Sequence, residues 1–132
     1  MAKIPDPVRD LFERETFASF ATVMPDGTPQ VTPVWIDAAC DDVLVNTARG
    51  RRKERNVREN PGVGVMVLDP DDPYRYVSIR GEVVEVTEDG AVEHIDELAR
   101  RYMDVEEYPH HGEESGARVI IRIRPDRVVT SG

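Results

Sequence analysis

Residues 17–36 read FASFATVMPDGTPQVTPVWI. Two apolar runs flank MPDG at 24–27, where Pro25, Asp26 and Gly27 supply a fixed φ, a side-chain acceptor and tolerance of positive φ, the chemistry of a tight turn. The stretch predicts a β-hairpin. Its first run, FASFATV at 17–23, is apolar enough for a buried strand. Its second, TPQVTPVWI at 28–36, carries Pro29 and Pro33, which have no N–H to give a ladder, so that strand belongs at a sheet edge or at a bulge. Backbone groups there are free to meet a ligand.

Further strands follow outward from the hairpin. After the turn DAACDD at 37–42 comes VLVNTA at 43–48, then GVGVMVL at 62–68, then YRYVSIRGEVVEV at 74–86 behind the acidic loop DPDDP, with Gly81 marking a bend or bulge. ARVIIRIRPDRVV at 117–129 alternates Val119, Ile121 and Ile123 against Arg118, Arg122 and Arg124, and Pro125 is expected to end it. Two helices frame the strands. Asp6 as N-cap and Pro7 at the first helical position precede Val8, Leu11 and Phe12. Thr87 is placed to cap a helix in which Val92, Ile95, Leu98, Ala99 and Tyr102 recur at helical spacing. DVEEYPHHGEESG at 104–116 reads as a mobile loop. Six strands with few helices and short turns favour a small antiparallel barrel over a doubly wound sheet, as one domain over residues 1–132.

The chain carries 17 basic and 26 acidic residues, a net charge of −9. TARGRRKERNVRENP at 47–61 runs against that balance, with six cations against Glu54 and Glu59. Such a local basic spot on an acidic surface suits one small anion better than a nucleic acid or an anionic membrane. No run of about 18 apolar residues spans a bilayer, the N-terminal residues lack the apolar core of a signal peptide, and the lone Cys40 can form no intrachain disulfide; together these predict a cytoplasmic protein. Cys40 reads as a turn or small buried residue, since no partnered base is spaced to activate it.

Between Gly50 and Pro61 the residues are helix formers, yet Val57 is the only large apolar one. One anchor does not hold a short helix by burial, and Arg51, Arg52 and Lys53 crowd the end where the helix dipole is already positive. An anion at the helix start removes the conflict. Lys53 and Asn56 are three apart and share a face, with Asn46 and Thr47 at the end of the preceding strand as neutral donors. A solvated Arg-rich connector and a nucleic-acid patch are the alternative readings.

The order PDGTPQVTPVWI, NTARGRRKERNVRENP, GVGVMVL, YVSIRGEVVEV, VIIRIRPDRVV resembles the split-barrel flavin and deazaflavin-binding proteins of the pyridoxamine-phosphate-oxidase-like superfamily, and within it the branch that binds coenzyme F-420, an 8-hydroxy-5-deazaflavin. The resemblance implies a mainly β, six-stranded antiparallel FMN-binding split barrel with a few short helices. It also implies a homodimer with the cofactor in a groove between subunits. Carried over by position, Arg51 and Lys53 would hold the cofactor's phosphate, with Asn56 completing that end and Asn46, Thr47 and Ala48 lining the groove beside it. Gln30, Val31, Thr32 and Pro33 would face the ring, and Tyr74 and Tyr76 would reach the site from the partner subunit. The chain reads RIRPDRVVTSG where pyridoxamine phosphate oxidases proper carry Arg-Leu-Ala-Pro, which counts against that reaction.

The implied activity is a deazaflavin-dependent oxidoreductase passing hydride between coenzyme F-420 and a small organic acceptor, with no obligatory general base. An FMN-binding oxidoreductase of the same fold and a non-catalytic cofactor binder are the alternatives. Other features have plainer readings. His94, His110 and His111, with Glu106, Glu107, Glu113 and Glu114 nearby, could be metal ligands but read better as a mid-helix residue and a solvated pair, so no metal is expected. Trp35 reads as core, and Tyr74 and Tyr76, on one face of a strand, could equally pack across a dimer interface.

Overall fold

The computed structural model describes residues 2–113 and 116–131. A 3₁₀ helix at Asp6–Phe12 leads into β1 (Phe17–Val23), β2 (Pro29–Trp35), β3 (Asp37–Ala39) and β4 (Asp42–Ala48). Then come α1 (Arg52–Glu59), β5 (Gly62–Asp69), β6 (Asp72–Thr87), α2 (Ala91–Met103) and β7 (Arg118–Thr130). The strands form one antiparallel sheet in the order β2-β1-β5-β6-β7-β4-β3, curled into a half-barrel whose β2 edge comes against β4. There are seven strands rather than six. The extra one, β3, is three residues folded back on β4 within DAACDD, and exposed Cys40 turns between them at φ 56°.

The hairpin forms as its residues dictate. Met24 and Thr28 close the turn, Gly27 takes φ 88°, and Asp26 Oδ1 accepts from the Thr28 N–H at 3.0 Å and its hydroxyl at 2.6 Å. β1 then pairs with β2 from Phe17↔Trp35 to Val23↔Pro29. β2 has no neighbour on its other side, so Pro29 and Pro33 cost no ladder bonds. Phe20, Val34, Val45, Val65, Ile79 and Ile121 fill the concave face, which Leu11 and Phe12 of the 3₁₀ helix close.

Four local expectations are corrected. β7 does not stop at Pro125: the register slips by one residue where Gly81 faces Pro125 and Arg80 faces Arg127, and this bulge absorbs the missing donor. Gly81 is needed there because a Cβ would stand 2.6 Å from the Arg124 carbonyl oxygen. Thr87 ends β6 instead of capping α2; its hydroxyl takes the Asp89 N–H at 3.1 Å, and the cap position falls to Gly90 at φ 74°. Val92 is 48% exposed, while Ala91, His94, Ile95, Leu98, Ala99 and Tyr102 form the buried face of α2. Asp6 lies inside the first helix, whose cap position is Pro5.

The acidic loop is a structural tie. Asp69 Oδ1 accepts from the Asp71 N–H at 2.8 Å and Arg14 Nη2 at 2.7 Å, and Oδ2 takes Arg75 Nη1 at 2.8 Å. Arg75 also holds Asp10, so the 3₁₀ helix is fastened to the β5–β6 turn. The Asp71 amide, then the Arg75 and Arg14 guanidiniums, outweigh burial and lower the Asp69 carboxyl from 3.8 to about 2. A depressed carboxylate contributes stability that is complete above its unfolded pKa and is lost as the folded one titrates. Acid unfolding followed by circular dichroism should therefore show a stability loss between pH 3.8 and about 2 that Asp69→Asn removes. An identical acid limb in the variant would assign that loss to other carboxylates.

Candidate functional site

A groove of about 290 Å³ opens between the β2 edge and the end of β4. Asn46 and Thr47 of β4, Arg51 and Lys53 at the start of α1, and Arg118 at the start of β7 form one end. Phe17, Pro33, Trp35, Ile95, Met103, Tyr108 and His110 line the rest. The groove thus carries a cationic cluster and an aromatic lining, which meet where Arg118 lies over Tyr108.

α1 is placed there by Glu54, which sequence reading treated only as a charge. Its carboxylate is fully buried, accepts the Gly50 N–H at 2.8 Å through Oε1, and takes Arg58 Nε and Nη2 at 2.7 Å each. This is a capping-box contact reaching one residue further back than usual, onto a glycine that turns the chain at φ 91°. The pattern of Glu at the third helical position with Arg four residues later was the available signal. Arg51 and Lys53 then face the groove beside Arg118. Burial first, then Arg51 and Arg118, lower the Lys53 ammonium below its usual range. No hydrogen bond or ion pair among the described residues meets it.

Asn46 is held by Arg118 Nε at 2.9 Å on its oxygen and by the Ala91 carbonyl and His94 Nδ1, at 2.8 and 3.1 Å, on its nitrogen. His94 Nε2 lies 3.0 Å from Asp37 Oδ2. Burial opposes ionisation of Asp37, but hydrogen bonds from His94, the Ala38 N–H and Arg101 keep its carboxyl below the ordinary range. Trp35, expected in the core, is half-buried and stacks on Tyr102 at 5.0 Å, with Tyr108 edge-on at 6.2 Å. The Arg118 guanidinium lies over the Tyr108 ring, 5.2 Å from its centroid.

The structure therefore gathers Pro33, Asn46, Thr47, Arg51 and Lys53 into one groove. Other expected residues lie elsewhere in the single chain. Asn56 is buried and gives its amide N–H to Thr22 Oγ1 at 3.0 Å, while its oxygen takes Arg52 Nη1 at 3.2 Å, so it fastens α1 to β1. Gln30 and Thr32 share the inward parity of Val34. Gln30 accepts from Thr22 Oγ1 at 3.2 Å, and the Thr32 hydroxyl is buried without a partner among the described residues. Val31 is exposed on the outward face, and Ala48 is buried under the α1 turn. Tyr74 is 86% exposed and Tyr76 lies two residues on, both away from this chain's groove. Sequence reading passed over Phe17, Tyr108 and Arg118, the last because it comes 72 positions after Asn46.

Among the described residues no three His, Cys, Asp or Glu side chains group as metal ligands. His110 pairs with Glu113 and His111 with Asp96, each at 2.7 Å, and Glu114 lies outside the described residues. No helix among the described residues is long and apolar enough to cross a membrane.

The sequence profile of the pyridoxamine 5'-phosphate oxidase family matches residues 4–132. The chain belongs to this family. The split-barrel fold described above is the one its solved relatives share. Among solved structures, one described as an F420 reductase is 34% identical, with 96% of this chain and 98% of that one covered and a TM-score of 0.82. A conserved hypothetical protein from Mycobacterium tuberculosis (24% identity, 99% and 86% covered, TM-score 0.77) and general stress protein 26 from Bacillus anthracis (20%, 94% and 90%, 0.69) share the fold. No curated protein sequence matches the chain.

Proposed function

We propose that the protein is an oxidoreductase that binds coenzyme F-420 in this groove, as a cytoplasmic homodimer, and acts on a small organic acceptor. The observation that carries the reading is the half-buried Lys53 ammonium, which itself meets no carboxylate among the described residues and stands beside Arg51 and Arg118 in the groove. An ammonium half-buried beside two guanidiniums is disfavoured by itself and becomes favourable around a phosphate. The 34% identical F420 reductase favours the deazaflavin over FMN.

Arg51, Lys53 and Arg118 would hold the phosphate, and Asn46 and Thr47 the neighbouring polar stretch, with Ala48 buried behind them. Pro33 would border the ring at the β2 edge, with the backbone of Gln30, Val31 and Thr32 continuing that edge. Asn56 acts by anchoring the helix that carries Lys53, while Tyr74 and Tyr76, exposed in one chain, would complete the partner subunit's site. When bound, the cofactor supplies the hydride-carrying carbon; the protein orients it and excludes water with Phe17, Trp35 and Met103.

Fluorescence titration with coenzyme F-420 and absorbance titration with FMN test this directly. Saturable deazaflavin binding at one per chain, with FMN at least about tenfold weaker, is expected. FMN binding without deazaflavin binding would move the protein to the flavin-dependent members of the fold. Deazaflavin binding with no turnover across quinone and conjugated-enone acceptors would make it a cofactor carrier.

A further inference from the structure

Asn46 can take only one amide orientation. The Ala91 carbonyl, an acceptor only, lies 2.8 Å from Nδ2, and the Arg118 Nε–H, a donor only, lies 2.9 Å from Oδ1. Turning the amide over would set oxygen against oxygen and N–H against N–H. The second N–H of Nδ2 therefore points at His94 Nδ1, 3.1 Å away, which must accept. The imidazole proton is then on Nε2, donated to Asp37 Oδ2 at 3.0 Å, and Arg101 Nη2 holds the other Asp37 oxygen at 3.1 Å. Every hydrogen bond along Arg101, Asp37, His94, Asn46 and Arg118 thus has a fixed direction. His94 is only 7% exposed, does not line the groove, and has no part in the cofactor reading above.

We propose that His94 is a positioning residue for the cation cluster: as the neutral Nε2–H imidazole it fixes the Asn46 amide, and the amide fixes the Arg118 guanidinium beside Arg51 and Lys53. This rests on reading that cluster as an anion site. With an apolar side chain at 94, one Asn46 N–H loses its acceptor in a half-buried setting, and the amide gains reason to rotate away from Arg118. Asparagine at 94 can place its side-chain oxygen near the position of Nδ1 and keep the acceptor.

The test uses the whole chain and inorganic sulfate, an anion of constant charge. Long-range proton–nitrogen NMR at mildly alkaline pH should show His94 protonated on Nε2; a proton on Nδ1 overturns the proposal. Sulfate is then titrated while the Arg118 Nε–H resonance is followed in the unsubstituted protein, His94→Leu and His94→Asn. Loss of one charge-assisted contact predicts about tenfold weaker sulfate binding in His94→Leu, with a broadened Arg118 resonance, and rescue in His94→Asn. Equal affinity in His94→Leu, or a loss in His94→Asn as large as in His94→Leu, overturns it. Should His94→Leu not fold, the tautomer and the His94→Asn affinity still decide. No saturable sulfate shift in the unsubstituted protein would overturn the anion reading and this role together, whereas binding unaffected by residue 94 would overturn this role alone.

Discussion

Glu54→Ala is expected to lower unfolding stability by about 1.5–3 kcal/mol, the worth of the charge-assisted hydrogen bond from the Gly50 N–H to the buried carboxylate. The Arg58 contacts add little to that figure, because Arg58 is half exposed and such pairs contribute under about 1 kcal/mol. Burial opposes ionisation of Glu54, yet Arg58, the Gly50 amide and Arg49 outweigh it and hold the carboxyl below its usual range. Glu54→Gln keeps an acceptor for Gly50 and should lose less than half as much. Urea denaturation of the three proteins checks the order. Stability unchanged in Glu54→Ala would show that Val57 and Asn56 alone seat α1. The same variant should also bind phosphate-bearing ligands more weakly, since Arg51 and Lys53 sit on the turn that Glu54 ties down.

Lys53→Ala separates binding from stability. One charged contact to a phosphate in a half-buried site is worth roughly 1.5–3 kcal/mol, so cofactor affinity should fall on the order of 10- to 100-fold. The free protein should be no less stable, and is expected to melt slightly higher. Lys53 is partly desolvated and stands next to Arg51 and Arg118, and both disfavour its charged form. Function and stability would then move in opposite directions at one residue, the usual trade-off at a binding site. Thermal melts without ligand and fluorescence titration with coenzyme F-420 measure the two effects. A destabilised variant with unchanged affinity would make Lys53 a scaffold residue and move the phosphate elsewhere.

Much of this was legible because the decisive signals are local. The hairpin followed from MPDG and its flanks, and the edge position of β2 from two prolines that lack donors. The basic helix announced itself by a charge pattern that its own dipole disfavours. What was hidden depends on partners far away in sequence. Pro125 looks like a stop until Gly81, on another strand, supplies the bulge that accommodates it. Glu54 looks like one more surface charge until the Gly50 turn folds back over it. Arg118 reads as the outward residue of an alternating strand, and only the pairing of β4 with β7 carries it to the end of the groove. Asn56 was placed on the right helix but points from its inner side to β1.

The prolines of β2 have a further consequence. A groove that admits a ligand along a strand needs that strand's outer edge uncovered, and an uncovered edge also invites strand addition from other chains and hence aggregation. Pro29 and Pro33 share the parity of Val31 and Trp35, so every other donor along the open edge is missing. The edge keeps carbonyls and side chains for a small molecule but offers a broken template to a polypeptide. The two residues that most disturb strand propensity in the hairpin thus leave this edge open while making it a poor template for fibrils.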